Sequence, residues 1–174
     1  MILGMSVGAF TLLHVVITLV AIGSGLIVVG GMLASNKLPG TTAIFLLTTA
    51  LTSVTGFLFP IHGFTPALGV GVVACVILVV AVFALYKERL EGPWRVIYVL
   101  TAIASLYLNV FVLVAQSFMK VAALSALAPT QSEPPFAITQ GVVLAIFFVL
   151  ALTALVKFRP TTAMPILAPQ AAAA

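Results

Sequence analysis

Charged residues are scarce in this sequence, and their scarcity excludes most soluble proteins. They make up 6% of the 174 residues, whereas hydrophobic residues make up 63%, and the mean hydropathy is +1.36. A soluble domain carries about 25% charged residues, so the surface of this chain is not one that water would keep in solution. The composition excludes a cytosolic enzyme, a nucleic-acid-binding protein and a disordered linker, and it predicts a protein that lies in a lipid bilayer.

Cysteine and catalytic motifs are also scarce or missing. Cys75 is the single cysteine, which excludes an intramolecular disulfide, a CxxC redox pair and a thiolate cluster. No GxSxG, HExxH, P-loop or GxGxxG pattern occurs, so nothing favours hydrolase or dinucleotide chemistry. The three carboxylates are too few to favour a catalytic metal centre.

Long apolar runs dominate the sequence instead. A helix needs about 20 mostly apolar residues to cross the hydrocarbon core. Five such runs predict spans over 7–33, 42–59, 67–86, 94–118 and 137–156, within one domain of residues 1–159. A Pro- and Ala-rich stretch over 160–174 predicts a flexible tail. Because the runs are apolar on both faces, they do not fit a β-barrel, and the predicted fold is an all-α bundle of five transmembrane helices.

The cations fall on one side of these spans. With five spans, the first and third links share a side with the C-terminus, and that side holds six of the seven cations: Lys37, Lys87, Arg89, Arg95, Lys157 and Arg159. The opposite side holds Lys120. Because cytoplasmic links carry the excess of Lys and Arg, we expect the N-terminus outside and the C-terminus in the cytoplasm.

Polar side chains recur at helical spacing within three of the spans. Such side chains are costly in lipid, so we expect them to face neighbouring helices or a cavity. The three stripes are His14, Thr18, Ala21 and Gly25 in the first span, Thr48, Thr52, Thr55 and then His62 in the second, and Thr101, Ser105, Asn109, Gln116 and Lys120 in the fourth.

The predicted topology brings several of these residues into the half of the membrane that faces the periplasm. We expect a ligand-binding site there, formed by His14, His62, Asn109, Gln116, Glu133 and Gln140. Each residue also has a structural interpretation. The amides can bond across helices, a buried imidazole needs a hydrogen-bonding partner, and Glu133 can be solvated in its Pro-bounded link.

The two histidines also invite a b-type haem interpretation, because imidazole is a common axial ligand. The depth of the two residues disfavours it. His62 follows Pro60 and is expected to lie about 10 Å nearer the surface than His14, from the rise of a helix. A quinone held by hydrogen bonds needs no such alignment of two rings.

Small residues spaced by four indicate close helix packing. The pairs are Gly4 and Gly8, Ala21 and Gly25, Ala67 and Gly71, and Gly141 and Ala145. Small residues let backbones approach closely in lipid, where no hydrophobic drive holds helices together. The pairs fit contacts inside the bundle or docking to another subunit, and the sequence does not separate the two.

Three stretches carry a resemblance to a known group of proteins. Thr55–Pro60, Leu106–Val112 and Ala128–Phe136 resemble segments of small, uncharacterised inner-membrane proteins of proteobacteria. The resemblance covers nearly the whole chain and implies a bacterial inner membrane. It implies no activity, cofactor or catalytic residue.

Three functional interpretations remain open. The first is a non-enzymatic bundle that serves as an accessory subunit or a small-molecule-binding module of a larger inner-membrane assembly, or as a homo-oligomer. The second is a redox protein that handles quinone or haem through His14 and His62. The third is a small transporter or channel, which would require polar residues to continue into the cytoplasmic half.

Overall fold

Five long helices and one short helix make up the part of the chain that the structure describes. This is a computed structural model that describes residues 1–60 and 66–160. The helices are α1 (Val7–Leu33), α2 (Pro39–Phe57), α3 (Pro66–Val82), α4 (Trp94–Lys120), α5 (Ala122–Leu127) and α6 (Pro134–Lys157). All of these helices except α5 are long and apolar enough to cross a membrane. The third of these membrane-spanning stretches continues beyond the end of α3 to Lys87. The predicted all-helical fold with five apolar helices is confirmed.

Prolines begin two of the helices earlier than the sequence analysis placed them. Pro39 and Pro134 lie in the first turns of α2 and α6, where an N–H has no intrahelical partner to lose. The two helices therefore begin at 39 and 134 rather than at 42 and 137. Helix α1 matches its predicted span, and Ser6 caps it by accepting the N–H of Ala9 at 3.2 Å.

The C-terminal ends of two helices differ from the predicted spans by two residues each. Helix α4 continues to Lys120 rather than 118, and α2 ends at Phe57 rather than 59. The last turn of the third span, Phe83–Lys87, is π-helical, which no sequence pattern indicated. Residues 161–174 of the predicted tail lie outside the described residues, as does His62.

Helix α4 lies at the centre of the bundle. It contacts α1, α2, α3 and α6, and around it α3 packs against α2, α2 against α1, and α1 against α6. Short links make neighbours along the chain antiparallel. The buried side chains of α4 extend from its first turns to its middle: Tyr98, Val99, Ala102, Ile103, Ser105, Leu106, Asn109 and then Phe118 near its end.

One half of the bundle, which we call the cationic half, is closely packed. It extends from Gly25, Phe45 and Leu106 to the end that carries the six cations, and its large buried side chains include Val28, Met32, Leu78, Tyr98 and Phe158. A Cβ at Gly25 would lie 2.6 Å from Leu106 Cδ1 and 2.9 Å from Phe45 Cδ2. The missing side chain thus allows α1 to approach α2 and α4 closely.

The small-residue pairs divide into two kinds. Gly25 packs inside the bundle, and so does Gly71, where a Cβ would lie 3.1 Å from Phe57 Cζ. Gly8 and Gly141 have no heavy atom within 4 Å of a built Cβ. The first two therefore serve contacts between helices of one chain, whereas the other two face outward.

The cationic end is tied together by hydrogen bonds to helix ends. Arg95 Nη1 donates to the carbonyl oxygens of Leu155 at 3.0 Å and Phe158 at 2.7 Å. These carbonyls belong to the end of α6. The last carbonyl groups of a helix have no N–H partner within the helix, so they need a donor from elsewhere. The N–H of Arg159 donates to Ser35 Oγ at 2.9 Å. The start of α4 and the first link thereby hold the end of α6.

The outer faces of the bundle are apolar. Helix α6 exposes Ile138, Val142, Ile146, Val149 and Val156, and α3 exposes Val72, Val76 and Val79. A contiguous apolar surface of this kind is what the hydrocarbon of a bilayer would cover. The other faces of the helices are directed toward the interior of the bundle. In the half opposite the cationic half, polar residues lie on these inner faces.

Candidate functional site

Hydrogen bonds between side chains join α1 to α2 in the half of the bundle that contains His14, Thr55 and Gln116, which we call the histidine half. His14 Nδ1 lies 2.7 Å from Thr55 Oγ1, and Thr18 Oγ1 lies 3.4 Å from Thr52 Oγ1. The predicted stripes on the two helices therefore face each other. His62, the fourth member of the second stripe, lies outside the described residues.

The surroundings of Thr55 assign the tautomer of His14. The Thr55 hydroxyl donates its single hydrogen to the carbonyl oxygen of Leu51 at 2.7 Å, the usual bond of a threonine within a helix. It is then left to accept a hydrogen bond from His14 Nδ1–H, since a hydroxyl has one donor and two acceptor lone pairs. When the ring is neutral, this bond leaves the lone pair on Nε2.

Aromatic rings fix the orientation of the His14 ring. Phe59 lies against it edge to face, with the ring centroids 5.4 Å apart and the planes at 89°. Phe10, which is fully buried, in turn packs on Phe59 at 5.1 Å. The imidazole is thus held both by a hydrogen bond on Nδ1 and by a ring contact.

The polar stripes surround a cavity of about 570 Å³ between α1, α2, α3 and α4. Its polar lining consists of Thr11, His14, Thr18, Thr52, Ser53, Asn109, Gln116, Ser117 and Lys120. The remaining wall is apolar and includes Phe57, Leu68, Ala74 and Leu108. A few convergent polar groups in a mostly apolar cavity of this size are typical of small-molecule sites.

Asn109 contributes to the deep wall of the cavity and also joins two helices. Its Nδ2 donates to Thr49 Oγ1 at 3.2 Å, and its side chain is 6% exposed. Thr49 was not among the predicted residues, although it is fully buried. Thr48, which the sequence analysis placed in the polar stripe of the second span, is half-buried and donates to the carbonyl oxygen of Ile44 at 2.7 Å.

Gln116 and Lys120 line the cavity near the end of α4. Their helix neighbour Ser117 bonds its own helix at the carbonyl oxygen of Leu113. Neither the amide of Gln116 nor the ammonium of Lys120 is engaged by a hydrogen bond within residues 1–60 and 66–160. These two side chains are therefore available to a bound molecule.

Two other predicted site residues lie away from this cavity. Gln140 Nε2 donates to the carbonyl oxygen of Phe111 at 3.1 Å and joins α6 to α4, while its Oε1 is buried without a partner among the described residues. Glu133 lies in the link before α6, where its carboxylate accepts hydrogen bonds from Thr130 N, Thr130 Oγ1 and Ser132 N. Of the five predicted site residues that the structure describes, His14, Asn109 and Gln116 line one cavity, whereas Glu133 and Gln140 do not.

The hydrogen bonds around Glu133 govern its ionisation. Desolvation acts to raise the pKa of the Glu133 carboxyl, but the bonds from the Thr130 hydroxyl and the nearby backbone N–H groups outweigh it and hold the pKa below its usual range. The carboxylate is therefore ionised, and as an anion it holds Thr130 and Ser132 in the link by hydrogen bonds.

The described side chains do not form a cluster of metal ligands. Within residues 1–60 and 66–160, no group of three or more His, Cys, Asp or Glu side chains is placed to hold a metal ion. His14 is the histidine that the structure describes, and the haem alternative, which the depth of the two histidines disfavours, would also need His62, a residue outside the described ranges. Comparison with known proteins adds no assignment, since no protein family, curated protein or solved structure matches the chain.

Proposed function

We propose that this chain is a non-enzymatic, membrane-embedded binding module for a small, largely apolar molecule that carries hydrogen-bonding oxygen atoms. The observation that carries the proposal is the cavity of about 570 Å³, in which the His14 ring and the Gln116 amide face a mostly apolar wall. An apolar body would fill the wall, and the polar groups would fix its orientation.

The shape of the bundle favours binding over passage across the membrane. A path would need polar side chains from one end of the bundle to the other. Beyond Asn109, the interior is instead filled by Leu106, Phe45 and Val28, each no more than 3% exposed. This packing supports a pocket that is closed on the cationic side.

The tautomer of His14 narrows the class of ligand. Nε2 accepts a hydrogen bond, whereas Lys120 donates and Gln116 does both. A molecule with a hydroxyl near His14 and a second oxygen toward the end of α4 satisfies all three groups. Quinols combine a hydroxyl, a second ring oxygen and an apolar body, so we propose a quinol as the specific candidate within this class, in the role of bound ligand or redox partner.

The location is part of the same proposal. The six cations at one end and Lys120 at the other favour an N-terminus outside and a C-terminus in the cytoplasm, and the resemblance noted above favours a bacterial inner membrane. The cavity would then open toward the periplasm. Tags on the two termini, tested for protease access in intact cells, check this orientation.

Membership of a larger assembly is the remaining proposal. Gly8 and Gly141 present backbone at the outer surface with no neighbour of their own, which is where another membrane helix approaches closely. Purification in mild detergent should then retain a stoichiometric membrane partner or a second copy. Isolation as a monomer from several mild detergents would count against this role.

The binding proposal is tested by what leaves the membrane with the protein. Gly56 lines the cavity, and within the described residues a Cβ there meets His14 Cε1 alone, at 3.8 Å. We expect Gly56→Leu to fill the cavity, whereas Gly30→Leu, at an outward position with no atom within 4 Å, serves as the control. Solvent extracts of the three purified proteins are compared by mass spectrometry. A molecule present in wild type and Gly30→Leu but lost from Gly56→Leu is expected, and identical extracts from all three would contradict the proposal.

His14→Phe then tests the quinol as the specific ligand. It keeps an aromatic ring beside Phe59 and removes the Nε2 acceptor. For added quinol, the loss of one hydrogen bond of about 1 kcal/mol lowers affinity by about fivefold. Unchanged affinity would exclude His14 as the hydroxyl partner, and the absence of saturable quinol binding to the wild type would exclude the quinol.

A further inference from the structure

A second cavity lies at the cationic end, between the start of α2 and the link that follows the third span. Its volume is about 290 Å³, and its lining includes Lys37, Thr42, Leu85, Tyr86, Arg89 and Leu90. It shares no lining residue with the cavity around His14. Inferences about this second cavity are therefore independent of the function proposed above.

Two positive charges from different links meet at this cavity. Lys37 precedes α2, Arg89 follows the π-helical turn, and both side chains are exposed. Glu88 and Glu91 lie on the same link as Arg89, but neither lines the cavity. The two cations therefore face the opening without a carboxylate among its lining residues, which favours an anionic ligand.

The backbone of both links is arranged to keep these charges at the opening. Leu38, Arg89 and Leu90 have φ of 43°, 51° and 64°, values that residues with a Cβ adopt at a cost. Leu90 is buried and its N–H donates to the carbonyl oxygen of Ala84 at 3.1 Å. The link is thus folded back on the helix, and Arg89 stays beside the cavity while its neighbour is anchored.

Apolar and aromatic groups continue from the cavity onto the outer surface. Tyr86 is 57% exposed and Phe83 42% exposed, and Trp94 packs on Phe83 with ring centroids 5.2 Å apart. Aromatic rings of this kind settle at the headgroup level of a bilayer. Cations at the opening and an apolar wall beside it match a phosphate group attached to acyl chains, and they match a free anion less well.

We propose that the second cavity binds the phosphate headgroup of an anionic phospholipid from the leaflet on the cationic side. Lys37 and Arg89 hold the phosphate, and the acyl chains lie along Leu85 and Phe83. Basic pockets between membrane helices recognise anionic headgroups by this combination of charge and apolar contact.

Trp94 provides the readout, because it is the single tryptophan in the chain and lies beside the proposed acyl path. The full-length protein in neutral detergent is titrated with dihexanoyl phosphatidylglycerol, dihexanoyl phosphatidylcholine and inorganic phosphate, and tryptophan fluorescence is recorded. We expect a saturable change with the phosphatidylglycerol. The zwitterionic lipid should bind more weakly, and inorganic phosphate should give no saturable change at millimolar concentration.

A matched pair of double variants separates the cavity from the general charge of this end. Lys37→Gln with Arg89→Gln removes two cations from the lining, and Lys87→Gln with Lys157→Gln removes two from outside it. The first pair should weaken binding about 30-fold, since each cation near the surface contributes about 1 kcal/mol, and the second by much less. Equal loss in both pairs, equal binding of the two lipids, or saturation by inorganic phosphate alone would overturn the proposal. Circular dichroism of both variants shows whether each is folded.

Discussion

The two halves of this bundle are built from the same helices but are filled differently. In the cationic half, Phe45, Leu106 and Tyr98 close the interior, and Gly25 lets α1 pack directly on Phe45 and Leu106. In the histidine half, the same helices part around a cavity lined by threonines, an asparagine and a histidine. Because apolar burial alone does not hold helices together in lipid, close packing in one half supplies the association that allows the other half to stay open.

The largest expected effect comes from placing one side chain in each half. Gly25→Leu forces atoms against Phe45 and Leu106 and should lower the free energy of unfolding by about 1–3 kcal/mol. Gly56→Leu enters the cavity and should leave that free energy unchanged or raise it. SDS-induced unfolding in mixed micelles measures both. If the two variants are equally destabilised, the histidine half is as closely packed as the other.

A smaller effect is expected at the cationic end. Arg95→Met leaves the carbonyl oxygens of Leu155 and Phe158 without their donor, and should cost about 1.5 kcal/mol, within the range for hydrogen bonds to charged groups. Partial exposure of Arg95 places the value at the low end. Lys157→Met removes a cation from the same end without such bonds and is the control. Matching unfolding midpoints for the two variants would show that Arg95 does not hold α6.

The bond between Asn109 and Thr49 tests how the deep wall of the cavity is held. Asn109→Leu, Thr49→Val and the double variant form a cycle whose coupling free energy should be about 0.6 kcal/mol, the usual value for such pairs in membranes. The same unfolding assay measures it. A coupling of zero would mean that the Asn109 amide is directed into the cavity rather than to α2.

The smallest effect is expected at Glu133 and follows pH. Because the folded pKa of Glu133 lies below its usual value of about 4.3, the ordered link is stabilised above that value and loses this stabilisation as the pH falls through the lowered pKa. Amide proton shifts of Thr130 and Ser132 should report the transition. Glu133→Gln should show no such titration, and a transition that persists in this variant would assign it to another group.

Much of this contrast was present in the sequence, because depth in the membrane can be counted along a helix. The spacing of His14 and Thr18 and of Asn109 and Gln116 predicted which residues share a face, and all four line the same cavity. Helix starts at Pro39 and Pro134 were misplaced, since a proline that can end a helix can also begin one.

Direction around each helix was harder to predict than depth. Gln140 lies at the expected level but reaches Phe111 across a different interface, because periodicity does not say which neighbour a face meets. Thr48 and Thr49 are adjacent and therefore lie on different faces of α2. The sequence analysis chose Thr48, whereas Thr49 is the residue that is fully buried. Backbone features such as the π-helical turn and the left-handed Arg89 and Leu90 follow from packing of the whole link and leave no local pattern.

The central place of α4 has a consequence for biosynthesis. Synthesis proceeds from the N-terminus, so α1, α2 and α3 are inserted before the helix that packs against all of them, and Thr49 precedes its partner Asn109 by 60 residues. A nascent chain stalled before α4 already holds both partners of the bond between His14 and Thr55, but it lacks the helix that covers Thr49 in the finished protein. We expect such a fragment to be less stable than the full-length protein, because α4 supplies contacts to each of the three helices before it.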